Sequence, residues 1–169
     1  MDLFGTSRKR LAPPQPGHSG HNGRMNAPCP LCHPDRETVL WQDRSARVVL
    51  VGDPAYPGFC RVIWQAHVAE MTDLAPAQRR HLMDLVFGVE TALRRVLKPT
   101  KINLASLGNQ VPHVHWHVIP RFADDASFPD AIWAAPRRAG GQPSIDPSVD
   151  AAVLRQALRS ILPATGETA

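Results

Sequence analysis

The chain has 169 residues, 43% apolar and 20% charged, which suits one globular domain and excludes collagen-like, wholly disordered and disulfide-stapled classes. The formal charge of +4 sits in the tail: residues 1–24 hold Arg8, Lys9, Arg10 and Arg24 against Asp2, leaving 15 basic and 14 acidic side chains elsewhere, so the body is no basic nucleic-acid platform. Three cysteines, no secretory leader pattern and no apolar run near the ~18 residues of a membrane span read as a soluble, reducing, cytoplasmic protein.

Residues 1–26 are rich in Pro, Gly, Ser, Asn and His and bury nothing, which predicts a disordered tail, with Met25 a candidate true start. "ETVLWQD" (37–43) and "ARVVLVGD" (46–53) read as a hairpin turning at Arg44-Ser45, and "FCRVIWQAH" (59–67) as a third strand. Residues 75–99 carry Leu82, Leu85, Val86, Val89, Leu93 and Val96 at helical spacing, with Pro76 in the first turn and Pro99 as the stop. "KINLASLGN" (101–109) and "VHWHVIPR" (114–121) are the fourth and fifth strands. An irregular Pro/Gly-rich stretch follows, then a closing amphipathic helix over 148–162. The pattern predicts an α+β fold: a roughly five-stranded, mostly antiparallel sheet covered on one side by a long helix and a C-terminal helix. The expected organisation is a tail (1–26), a domain (27–135) and an irregular segment with its helix (136–169).

At and just before the fifth strand, "QVPHVHWHVIPR" (110–121) places His113, His115 and His117 at alternate positions. Alternate residues of a strand share a face, ~7 Å apart. Val114, Trp116 and Val118 are then core, and the imidazoles look into a cleft or solvent. A three-histidine metal centre on one strand is hard to close, because same-face neighbours stand apart. Nucleophilic attack on phosphorus is the other reading: a neutral imidazole is a good nucleophile, and a second one assists the phosphoryl oxygens or the leaving group. "CPLC" (Cys29, Cys32) fits either a redox pair or half a zinc site, although no strand-to-helix context supports redox. Cys60 alternates within a strand and reads as core.

"HVHWHVI" resembles the signature of the histidine-triad (HIT) family. "YPGFCRVIWQAHVAEMTDL", "INLASLGNQVPHVHWH", "PRF" and "FPDAIW" are similar to its flanking segments, over roughly Cys29 to Trp133. The resemblance implies that His115 is a nucleophile forming a covalent nucleotidyl-histidine. It implies that His117 contacts the phosphate and that His113 orients or supports. Asn103 matches the family's strand asparagine. Gly108, Asn109, Gln110 and Val111 match the loop that wraps the phosphate, with Gln110 where relatives carry Ser or Thr. Asp53 matches the ribose-holding residue; the alternative for it is a turn Asp before Pro54. An apolar base pocket is expected near Val48 to Leu50 and Ile63. Some relatives hold structural zinc, which here implies the set Cys29, Cys32, His67 and His113, with His33 as a competitor.

The function implied is hydrolysis at the α-phosphate of adenylyl compounds (a dinucleoside polyphosphate, aminoacyl adenylate or phosphoramidate), with no cofactor needed for the chemistry. The alternatives are a nucleotidyltransferase and a nucleotide-binding protein with little turnover, the latter favoured by Gln110. The family implies a homodimer, and the place of Trp133 after "FPDAI" suggests a side chain that closes over a neighbouring subunit's site. No membrane or nucleic-acid partner is expected.

Overall fold

In the computed structural model, residues 28–138 and 150–163 are described. The expectations for residues 1–26 and Met25, and part of those for 136–169, lie outside the described residues. Five strands form one sheet: β1 (Thr38–Gln42), β2 (Ala46–Leu50), β3 (Cys60–Trp64), β4 (Lys101–Ala105) and β5 (His115–Arg121). Their order is β1-β2-β3-β5-β4, and every neighbouring pair is antiparallel. The long connection that contains α1 (Pro76–Leu97) carries the chain from β3 to the far edge, and β5 then fills the gap between β3 and β4.

The helix forms where its spacing predicts. The Ala75 N–H donates to Gln78 Oε1 at 2.8 Å, and Pro76 takes the first turn, where a missing N–H costs nothing. At the other end Lys98 adopts a left-handed φ of 48° and its N–H donates to Arg94 O; Pro99 cannot continue the ladder. A 3-10 turn at Met71–Asp73 precedes α1 and was not legible in the sequence pattern. The closing helix α2 (Ala151–Arg159) starts at Asp150, whose Oδ1 accepts the Ala152 N–H at 2.7 Å. It is shorter than the 148–162 expected, since Ser160 ends it and the chain turns back at Ile161 and Leu162.

Both helices lie on one face, over a core that includes Ala46, Val48, Cys60, Val62, Trp64, Val114 and Val118 from the sheet side and Leu82, Val86, Val89, Leu154 and Leu158 from the helices. Gly88 lets the C-terminal segment pack closely on α1: a Cβ there would collide with the Leu162 side chain. Gly58 is required twice over, by a φ of +79° and by Leu97 and Pro120 packed against its α-carbon. The expected Cys60 is core, 1% exposed, and burial pushes its thiol up to about 12.

With the helices on one side, the opposite face carries the other alternates: Arg47 and Val49 of β2, Arg61 and Ile63 of β3, His115 and His117 of β5. This corrects part of the expected base pocket. Val48 packs in the helix-side core and Leu50 packs against it, so only Val49 and Ile63 face the histidines. Strand alternation, applied to three consecutive residues, forbids all of them from lining one pocket.

Candidate functional site

The histidine row splits in two. His113 lies just before β5, not in it, and is wholly buried. Its Nε2 lies 2.6 Å from the Trp64 carbonyl oxygen. A carbonyl only accepts, so Nε2 carries the proton and Nδ1 keeps its lone pair. That Nδ1 lies 3.5 Å from both Cys29 Sγ and Cys32 Sγ, and His67 Nδ1 lies 3.3 Å from Cys32 Sγ. All four donor atoms fall within 4.8 Å of one another. A tetrahedral zinc with Zn–S ~2.3 Å and Zn–N ~2.05 Å separates sulfur from nitrogen by roughly 3.5 Å, so the set fits a closed Cys2His2 site. Desolvation holds the His113 imidazole below its ordinary pKa, which keeps it neutral as a ligand must be.

The cluster is built by the chain entering the domain. The Cys29 carbonyl accepts the N–H groups of Cys32 and His33 at 3.0 and 3.1 Å, a turn that brings both sulfurs to one side. Leu31 plugs onto Val49 and Ile63, with Val111 beside them. Arg47 clamps the turn from the sheet: its guanidinium donates to Leu31 O at 2.7 Å and pairs with Glu37 at 2.6 Å. His33 is exposed and stands outside the donor set. Both cysteines are free thiols. A cluster on one interior flank of the sheet is thus assembled from residues 84 apart in sequence.

The other two histidines open a different environment. His115 Nδ1 lies 2.6 Å from the His113 carbonyl oxygen, so by the same reasoning Nδ1–H donates and Nε2 keeps the lone pair. Ser106 Oγ donates to His115 O at 3.0 Å and fixes the backbone from the β4 side. His117 stands edge-on to His115, with centroids 4.9 Å apart. Phe59 and Trp133 flank it at 5.5 and 5.4 Å. Its Nδ1 is buried with no hydrogen-bond partner. Burial first, then the charges of His115 and Arg61, push His117 down to about 4, so it is neutral at pH 7. His115 and His117 are 7% and 6% exposed and do not stand free in solvent.

The remaining expected residues are placed unevenly. Asn103 on β4 pairs with Ile119, and its Oδ1 accepts from Arg121 at 2.7 Å. Arg121 is fully buried and also forks onto Asp125 at 2.8 and 2.9 Å. Although burial favours the neutral acid, the Arg121 hydrogen bonds hold Asp125 below the usual carboxylate range. Asp53 serves its own turn, Oδ1 accepting the Ala55 N–H at 2.9 Å. Asn109 and Gln110 are exposed in the β4–β5 loop. Val111 points inward against the Leu31 cluster, and its carbonyl accepts the His113 N–H at 2.8 Å. Trp133 is 54% exposed and rests on this chain's own His117; with Asn103 it lines a groove of ≈ 540 Å³ along β4.

Sequence reasoning missed Arg61 and Arg121. Arg61 had a signal: in Phe59-Cys60-Arg61-Val62-Ile63 it falls on the same alternates as Phe59 and Ile63, so a charge was due on the histidine face. Arg121 had none, because its partners Asn103, Asp125 and Asp130 meet it only through the folded loop.

Comparison with known proteins gives a consistent picture. The model of the HIT domain matches residues 35–124, more than half the chain. A bis(5'-nucleosyl)-tetraphosphatase [asymmetrical] of Schizosaccharomyces pombe is 33% identical over 86 residues, 48% of this chain and 47% of that protein, so the chain spans about half the length of the curated relative. A histidine triad protein from Bradyrhizobium japonicum superposes with a TM-score of 0.58 at 29% identity, covering 74% of this chain and 90% of that one. One from Marinobacter aquaeolei VT8 gives 0.60 at 24%, over 75% and 91%. A zinc-bound histidine triad family protein from Mycobacterium smegmatis gives 0.56 at 23%, over 77% and 89%. The alternating histidines, the five-stranded antiparallel sheet and the family model agree: the chain belongs to the HIT domain family.

Proposed function

We propose that the chain hydrolyses nucleotides at the α-phosphate, with His115 as nucleophile. The observation that carries this reading is the His115 tautomer: Nδ1–H is spent on the His113 carbonyl at 2.6 Å, which leaves the Nε2 lone pair for attack. In the first step that lone pair forms the P–N bond while the Pα–O bond to the leaving group breaks. The electron pair departs on the leaving oxygen, which takes its proton from water. In the second step water attacks phosphorus and gives up a proton to the neutral His117 or to solvent, the P–N bond breaks, and Nε2 recovers its lone pair as the nucleoside monophosphate leaves. The likeness to a tetraphosphatase over 86 residues supports this substrate class.

Gly108, Asn109 and Gln110 would wrap the phosphate through backbone N–H groups of the β4–β5 loop. Asp53 would reach the ribose with the carboxylate oxygen not used in its turn. Val49 and Ile63 offer the apolar wall. Asn103 serves the site through its amide NH2, since its oxygen is occupied by Arg121. The Cys29, Cys32, His67 and His113 set would hold zinc, whose part is structural: it would pin residues 28–33 to the sheet and fix the His113 carbonyl that orients His115. A homodimer through the free outer edge of β4 and a cytoplasmic location complete the reading. Among the described helices none is long and apolar enough to cross a membrane.

The test is intact-mass spectrometry of the protein mixed with diadenosine tetraphosphate and quenched without acid, beside His115→Ala. The expected result is an AMP-sized adduct absent from the variant. AMP release that survives in the variant would remove His115 from the role. Exposed Gln110, in place of a hydroxyl residue, favours one second reading, a nucleotide-binding protein. It predicts a melting-temperature shift with AMP and no AMP released.

A further inference from the structure

Three arginines stand on the histidine face of the sheet. Two are fully paired. Arg47 binds Glu37, Gln65 and Leu31 O, and Arg121 binds Asp125, Asn103 and Asp130 O. The third, Arg61, has no carboxylate and no hydrogen-bond partner among the described residues, and its Nε is buried and unmatched. It is opposite His117 in the β3–β5 register. Neighbouring strands are ~4.8 Å apart, so the two side chains leave the sheet side by side. Its guanidinium carbon lies 5.7 Å from the centroid of Phe59, the same ring that packs on His117. The group is therefore held beside His117 by an aromatic face, not by an anion of the protein.

A half-buried guanidinium without a counter-charge is a cost in the free protein. The cost is recovered when an anion of the right shape enters, and a guanidinium fork matches phosphate oxygens. His117 beside it is neutral at pH 7, so it supplies no positive charge there. We infer that Arg61 is the specificity-determining cation of the cleft: it receives the phosphate beyond the α-phosphate, and so selects nucleotides whose leaving group is itself a polyphosphate over those with an amine or acyl leaving group. This rests on the hydrolase reading above and narrows its leaving group.

The experiment compares wild type, Arg61→Gln and Arg61→Lys on diadenosine tetraphosphate and on adenosine 5'-phosphoramidate, reading kcat and KM separately. The expected result is a fall in kcat/KM of at least tenfold for the tetraphosphate in Arg61→Gln. Turnover of the phosphoramidate stays within twofold, and Arg61→Lys recovers part of the loss. Equal loss on both substrates, or loss on neither, overturns the inference. Melting curves accompany the kinetics. Arg61→Gln stays within a few degrees of the wild-type melting temperature, because it gives up the Phe59 contact but no hydrogen bond or ion pair; if it drops further, Arg61→Lys alone decides. Should wild type release AMP from neither substrate, the hydrolase reading fails by itself, and equilibrium binding decides the role of Arg61. Wild type then binds ATP at least tenfold more tightly than AMP and Arg61→Gln loses that preference; equal preference in both overturns it.

Discussion

The two ends of the histidine run obey opposite rules. At the His113 end both ring nitrogens are committed, one to the Trp64 carbonyl and one toward two sulfurs. At the His117 end Nδ1 has no partner, and neither does the Nε of Arg61 across the register. Burial alone does not separate them, since His113 and His117 are 0% and 6% exposed. Satisfaction does. A polar group whose hydrogen bonds are completed inside the protein holds the fold together. One left incomplete waits for something the chain does not contain. His115 sits between these regimes, with Nδ1 committed and Nε2 open.

The largest effect expected at the open end is on chemistry. His115→Ala removes the nucleophile and is expected to lower the AMP release rate by roughly 10⁴-fold or more, while the melting temperature changes little. A variant with near-normal turnover would dissolve the distinction between the two ends. The next effect belongs to the satisfied kind. Asp125→Asn strips the counter-charge from the fully buried Arg121 and is expected to cost about 3–5 kcal/mol in urea unfolding; the same follows for Arg121→Met. A change below 1 kcal/mol would mean that the clamp under Asn103 is not structural.

Metal removal sharpens the comparison further. Zinc at a hundred times its dissociation constant would stabilise the cluster end by about 2.7 kcal/mol, which is roughly 5–10 °C of melting temperature for a domain of this size. A chelator should therefore lower the transition, and Cys32→Ala should be indifferent to it. An unchanged wild-type transition, with no zinc by elemental analysis, would leave the four donors as a hydrogen-bonded cluster only.

The smallest effects separate the ends by pH and by apolar replacement. His117 is depressed in the folded state to about 4, from 6.5. Above 6.5 it is neutral in both states. Below that the unfolded chain binds the proton first, so stability is lost progressively as pH falls from about 6.5 to about 4. His117→Leu should flatten that part of the stability profile, keep folding within about 1 kcal/mol and slow turnover about 10²-fold. An unaltered pH profile in His117→Leu would assign the acid sensitivity elsewhere.

Much of the fold could be read directly. Leu82 to Val96 marked α1 because one stripe at helical spacing has one place to go, and Pro76 and Pro99 bounded it. Val114, Trp116 and Val118 marked the buried face of β5 because strand alternation is strict. The metal set was legible only through family resemblance, since no local rule joins Cys29 to His113. His113 was read as sharing the face of His115 and His117. Alternation in sequence continues through it, whereas the backbone turns there: Val114 N–H donates to Val68 O at 2.7 Å, outside the β3–β5 ladder.

By itself, then, the sequence determined which segments become strands and helices, which side chains share a face, and that His115 and His117 of β5 share one. These follow from the periods of the helix and the strand, which are local. Only the tertiary structure decided what each polar atom meets. It chose the strand order that sets Arg61 opposite His117, the carbonyls that fix the tautomers of His113 and His115, and the pairing that occupies Arg47 and Arg121 while leaving Arg61 open. Those outcomes depend on register between segments far apart in the chain, and hydrogen bonding is directional over ~3 Å, a scale that periodicity does not reach.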